Sequence, residues 1–182
     1  QTMDFPLINV LAQMEFRGIK IDASKLEKMN KSLAQEITAV QQNIYDMVGY
    51  EFNVASPAQL ASALFDKLLL PTAGIKKGKT GYSTNQKELD KLRGQHPIIE
   101  LVERFRELSK LQNTYVAALP EQTDANGYIH TTFNQDVTAT GRLSSTNPNL
   151  QNIPIRTDLG RQIRDAFVPA PGNVFVNADY SQ

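Results

Sequence analysis

The feature that most limits what this chain can become is the apolar stripe between Asp22 and Gly49. Leu26, Leu33, Val40 and Met47 recur every seven residues, and Met29, Ile37 and Ile44 fill the same face. That period predicts one amphipathic helix, N-capped by Asp22 and stopped at Gly49, roughly 40 Å long at about 1.5 Å per residue. A seam of that length must be covered. Either a neighbouring helix of the same chain covers it, or the stripe is the contact face of a non-catalytic helical interaction module.

The flanking segments supply neighbours. Residues 4–17 predict a helix with Pro6 in its first turn and Phe5, Ile8, Leu11 and Met14 inward, ended by Gly18. Ile19-Lys20-Ile21 is a short extended link. Ser56-Pro57-Ala58-Gln59 reads as a capping box opening a helix with Leu60, Leu64 and Leu68, which Pro71 ends. Ser83 and Gln86 cap a short helix to about Arg93. His96-Pro97 opens a long one with Ile98, Leu101, Val102, Phe105, Leu108 and Leu111 inward, closed by Pro120. Beyond it the pattern changes. Asp124-Ala125-Asn126-Gly127 is turn chemistry and residues 128–133 are rich in β-formers. Residues 137–154 are irregular, 161–168 fit neither pattern clearly, and 173–181 read as a buried strand. The expected fold class is α+β: a mainly helical unit over the first ~120 residues, then the start of a sheet-containing one.

Composition narrows the chemistry. The chain has 182 residues and no cysteine, which excludes disulfides and thiolate zinc sites. Its two histidines, His96 and His130, are too few for a histidine-rich metal site. No apolar run is long enough to span a bilayer, so no membrane partner is expected, and Gln1-Thr2 does not begin a signal peptide. The chain starts without methionine and stops just past Asp179, so a piece of a longer protein is expected. The net charge is zero, but residues 71–94 carry six basic and two acidic groups. A local patch of that kind binds phosphate where the average charge does not.

That patch contains the loop Thr72–Tyr82, with Lys76, Lys77 and Lys79 among three glycines. Three readings stay open. Ala73 to Thr80 satisfies a loose phosphate-loop pattern centred on Lys79, which needs a strand before the loop and a helix starting at the lysine. A solvated flexible loop is the plain alternative. The third is contact with duplex phosphates, which adds affinity without sequence information and weakens with salt.

Residues 137–156 concentrate long polar side chains: Arg142, Asn149, Gln151, Asn152 and Arg156. They are either turn formers bonded to their own backbone or donors aimed outward. The minor groove presents acceptors at purine N3 and pyrimidine O2 on every base pair. Such donors would bind any correctly paired sequence and sense a distorted pair. Asp179 follows Val174-Phe175-Val176-Asn177-Ala178. One carboxylate does not hold two magnesium ions, and no second acid in residues 137–182 is an obvious partner.

Three motifs in order now carry a resemblance: Thr138-Ala139-Thr140-Gly141-Arg142-Leu143-Ser144-Ser145, Pro148-Asn149-Leu150-Gln151-Asn152-Ile153-Pro154 and Ala178-Asp179-Tyr180-Ser181-Gln182. Together they closely resemble family A DNA polymerases of the bacterial polymerase I type, and the resemblance covers essentially the whole chain. It implies a lead-in segment over 1–22, a helical thumb over 23–119 with the lysine loop at its tip, and the first palm segment over 120–182. It implies that Asp179 is the first catalytic aspartate, bridging two Mg2+ ions, with the Tyr180 backbone carbonyl a further ligand. Arg142 is implied at the primer terminus, Asn149, Gln151 and Asn152 along the duplex, and Arg156 close by. The partners implied are primer–template DNA and, in the intact enzyme, dNTP. The expected setting is the bacterial cytoplasm and the expected state a monomer. The family's fingers helix and second metal-binding acid are not matched by any residue here, so the 182 residues alone are expected to bind duplex and not to polymerise.

Overall fold

The computed structural model describes residues 4–79 and 81–180. Thr80 of the lysine loop and Ser181-Gln182 of the last motif lie outside them. The chain divides into two compact units, Gln1–Lys31 with Leu111–Gln182, and Ser32–Lys110.

The stripe forms helix α2, Ala23–Val48, and Asp22 caps it through its carboxylate, 3.3 Å from the Lys25 N–H. Leu26, Leu33, Val40, Ile44 and Val48 are 0, 2, 8, 0 and 1% exposed, whereas Met47 is 38% exposed. A straight helix falls about 20° behind a seven-residue repeat at each heptad. By the third heptad Val48, not Met47, faces inward. The stripe is therefore consumed as ordinary core, and the interaction-module reading loses its contact face.

In the Ser32–Lys110 unit, α3 (Pro57–Ala61) runs into a π-helical stretch, Ser62–Lys67, so the helix ends before Pro71. Ser56 Oγ accepts from the Gln59 N–H at 3.5 Å, but Gln59 Oε1 accepts from the Asn53 N–H at 2.7 Å. The box is thus half-formed, its second arm reaching an earlier residue. The expected loop contains a small hairpin, β2 (Lys77–Gly78) with β3 (Gly81–Tyr82). Helix α4 (Gln86–Asp90) is capped by Asn85, whose side chain accepts from the Glu88 N–H at 3.0 Å. Ser83 lies too early for that role and accepts from the Asn85 N–H instead. Helix α5, Ile98–Leu111, buries Ile98, Ile99, Val102, Phe105, Leu108 and Leu111.

In the other unit α5 continues as a π-helical stretch, Gln112–Val116, and α6, Ala118–Glu121. Pro120 lies inside α6 rather than closing it. Helix α1, Asp4–Arg17, ends at Gly18, whose φ of 64° suits glycine. Of Phe5, Ile8, Leu11 and Met14 only Leu11 is buried. Residues three apart drift about 60° per step around a helix, so a run of four does not share one face. Strand β1 (Ile19–Lys20) pairs antiparallel with β4 (Tyr128–Ile129), while the Val168 N–H donates to the Lys20 carbonyl at 3.0 Å on the other edge. Strands β5 (Thr132–Asn134) and β6 (Ser144–Thr146) pair with Phe133 opposite Ser145. The β6 strand falls inside the segment expected to be irregular. Helix α7, Asp158–Arg164, resolves the undecided segment, capped by Thr157.

Residues 173–180 are not a buried strand. They carry no regular secondary structure, pair with no strand among the described residues and are exposed, Val176 at 87%. The apolar run presupposed flanking strands, and no described residue pairs with it.

Candidate nucleic-acid interface

The lysine hairpin is built from its base. Glu88 is buried, and its carboxylate accepts from Lys91 Nζ at 2.6 Å and from the Lys76 backbone N–H at 3.1 Å. These two contacts, the Lys91 ammonium first, hold the Glu88 carboxyl below the usual carboxylate range. Lys91 also donates to the Gly74 carbonyl at 2.7 Å, so one residue pair fixes the near end of the loop. Lys76, Lys77 and Lys79 are all exposed. Lys77 Nζ lies 4.9 Å from the Tyr82 ring centre, a cation–π contact. Lys79 sits in the hairpin turn between β2 and β3, with no helix starting at it. Among the described residues no phosphate-loop cradle forms, because its amides would have to open a helix there.

The polar side chains of residues 142–156 sit in the other unit on two linked loops. The first leaves β5 and returns at β6, closed by the Thr138 hydroxyl donating to the Arg142 carbonyl at 2.5 Å. The second follows β6 through Asn147, which adopts a φ of 54°, and a cis bond to Pro148. Gln151 Nε2 donates to the Leu143 carbonyl at 3.1 Å and so joins the loops. Asn149 Oδ1 accepts from the Gln151 N–H at 3.0 Å. The turn-former reading is thus correct for half of Asn149, and its amide nitrogen remains available. A carboxamide carries two N–H donors, so Gln151 keeps one beyond its loop contact. The side chains of Arg142, Asn152 and Arg156 make no hydrogen bond or ion pair among the described residues, and all five groups are exposed.

Three buried hydroxyls lie beneath these loops, and sequence reasoning passed over them. Tyr115 donates to the Asn152 carbonyl at 2.6 Å. Thr131 Oγ1 lies 2.7 Å from the Pro148 carbonyl oxygen and 3.1 Å from that of Thr146. Ser145 Oγ accepts from the Leu150 N–H at 2.8 Å. The only signal was polar residues at otherwise apolar positions. Burial raises the Tyr115 phenol above its usual range, so it stays a donor. Gly160 supports the same loop, since a Cβ there would stand 2.4 Å from the Pro154 carbonyl oxygen.

Asp179 and Tyr180 are exposed, and Asp179 makes no hydrogen bond or ion pair among the described residues. Nothing described joins it to the donors. Nor do the described residues include a group of three or more His, Cys, Asp or Glu side chains able to hold a metal ion. One exposed carboxylate does not fit a two-ion site by itself. No helix is long and apolar enough to cross a membrane among the described residues.

Comparison with known proteins gives this geometry a context. Residues 23–182 match the sequence profile of DNA polymerase family A. The chain is 52% identical to DNA polymerase I of Synechocystis over 97% of its length and 18% of that protein. It is 50% identical to DNA polymerase I of Geobacillus stearothermophilus over 99% of its length and 20% of that protein. It therefore spans about a fifth of the length of these relatives. The POL domain of Pol1 from M. smegmatis, solved with DNA primer–template and dNTP, superposes with a TM-score of 0.86 at 44% identity, covering 94% of this chain and 30% of that one. A profile match over most of the chain, with relatives at this identity and a shared fold, leaves one conclusion: the chain belongs to DNA polymerase family A.

Proposed function

We propose that these residues are the duplex-holding part of a DNA-directed DNA polymerase: a lead-in over 1–22, a thumb over 23–119 and the first palm segment over 120–182. The match to the family over 23–182 carries this reading. Lys76, Lys77 and Lys79 contact duplex phosphates, while Arg142, Asn149, Gln151 and Asn152, with Arg156 nearby, face the minor groove at the primer end. In support, all these side chains are exposed, and the first three belong to a hairpin whose base is anchored at Glu88. The partner is primer–template DNA, as in the M. smegmatis complex, with dNTP joining only in the complete enzyme.

Family A DNA polymerases generally use divalent metal ions. In the complete enzyme Asp179 and the Tyr180 carbonyl would serve two Mg2+ ions, and at least one further acid from outside these residues is needed. On this reading the 182 residues alone bind duplex as a monomer and do not extend a primer, and the complete enzyme works in the cytoplasm of a bacterium.

Arg142→Ala in a complete polymerase carrying this segment tests the reading. Primer extension should slow more than duplex binding weakens, because the contact lies at the reacting end. Normal turnover, or equal losses in both, counts against it.

A further inference from the structure

We infer that Tyr115 and Thr131 are positioning residues: their buried hydroxyls set the carboxamide-bearing loop of residues 147–152 in its DNA-reading shape. The inference rests on the duplex reading above and adds what holds the reading surface in place.

The loop has no strand or helix to define it, so its backbone polar groups need other partners. Side chains beneath it provide them at both ends. Thr131 holds the Pro148 carbonyl at 2.7 Å, just before Asn149. Tyr115 holds the Asn152 carbonyl at 2.6 Å, at the far end. Both residues are buried, Tyr115 on the π-helical stretch Gln112–Val116 and Thr131 between β4 and β5. Ser145 fills the middle through the Leu150 N–H at 2.8 Å. Asn149, Gln151 and Asn152, which carry the carboxamides, are exposed, in contrast to the buried hydroxyls. Neither Tyr115 nor Thr131 is itself exposed enough to touch a duplex. Their effect on binding must pass through the loop.

A side chain that reads groove acceptors works within hydrogen-bond tolerance, a few tenths of an ångström. A carbonyl that loses its hydroxyl partner leaves the backbone at Pro148 or Asn152 less constrained. Loss of either hydroxyl should therefore weaken duplex binding without unfolding the chain.

The test uses the 182-residue chain and a primer–template duplex. Tyr115→Phe and Thr131→Val each remove one hydroxyl at nearly constant volume, and Thr131→Ser restores one. Hydrogen exchange at the amides of Leu150 and Gln151 should speed at least ~5-fold in the first two variants while α2 stays unchanged, a shift corresponding to about 1 kcal/mol of local opening. Duplex Kd should rise about 3- to 10-fold, and Thr131→Ser should return both readouts to the parent values. Combining Tyr115→Phe with Asn152→Ala should weaken binding by less than the sum of the two single effects.

Unchanged exchange in the loop overturns the inference, whatever happens to DNA binding. So does a Tyr115→Phe effect that adds fully to that of Asn152→Ala. If Asn152→Ala weakens binding but Tyr115→Phe and Thr131→Val do not, positioning alone fails. If Asn152→Ala and Gln151→Ala both leave Kd unchanged, the duplex assignment of the loop fails and takes the inference with it.

Discussion

His130 Nδ1 lies 2.7 Å from the backbone carbonyl oxygen of Glu15, a contact between residues 115 positions apart. Its Nε2 lies 3.3 Å from Asp124 Oδ2. A carbonyl and a carboxylate are both acceptors, and a neutral imidazole has only one N–H. The site therefore favours the imidazolium. The Glu15 carbonyl first, then the Asp124 carboxylate, raises the His130 pKa. Asp124 is itself held below the usual range, chiefly by the Tyr128 N–H, and stays ionised at neutral pH.

A raised histidine pKa stabilises the fold fully below the unfolded value, about 6.5, and the contribution fades as pH rises through the folded value. Melting temperature should therefore decline from about pH 6 to 8 in the parent relative to His130→Phe, whose profile lacks this component. Parallel profiles for the two proteins would show that the contact carries no linkage.

The drift of the α2 stripe sets a second expectation. Leu33 is 2% exposed and Met47 38%. Leu33→Ala should cost about 2–5 kcal/mol by denaturant unfolding, as large cavities do, and Met47→Ala about 1 kcal/mol or less. Similar costs at both positions would mean that the seven-residue seam is buried throughout.

Gly160 offers a test of opposite propensities. In a helix, Gly→Ala normally stabilises by about 0.5–1 kcal/mol. Here the new methyl would stand 2.4 Å from the Pro154 carbonyl oxygen and 2.8 Å from its carbon. Overpacking of this kind costs about 1–3 kcal/mol, so the clash should win. Gly160→Ala should unfold at lower denaturant and weaken duplex binding through the adjoining loop. A stabilised variant would show that Pro154 yields freely.

Much of the helical architecture was legible because caps and period agree. Asp22, Gly18 and Gly49 bound their helices, and the core of α5 follows its apolar spacing. What failed was whatever depends on partners. Residues 173–180 look like a central strand, but a strand is buried by its neighbours, not by its composition. Residues three apart in α1 look like a face and are not one. The outward donors Arg142 and Asn152 were legible by type. Their support was not: the Tyr115 and Thr131 contacts span 37 and 17 residues, and no local pattern encodes them.

A local contact makes Asn149 both turn former and candidate reader. Its oxygen shapes the loop through the Gln151 N–H, and its nitrogen makes no hydrogen bond among the described residues. Asn149→Asp keeps the turn acceptor and replaces the donor with negative charge. It should leave the melting temperature within about 2 °C, corresponding to less than ~1 kcal/mol, and weaken duplex binding about 10-fold or more. Equal affinity would remove Asn149 from the interface.

The most direct measurement is the affinity of the 182-residue chain for primer–template duplex as a function of salt. The account predicts binding that is indifferent to sequence and falls steeply as salt rises. Changing Lys76, Lys77 and Lys79 together to alanine should lower the log–log slope by about 2 to 3, at about 0.9 for each phosphate no longer neutralised. Affinity that is the same at low and high salt, or no binding at all, would contradict it.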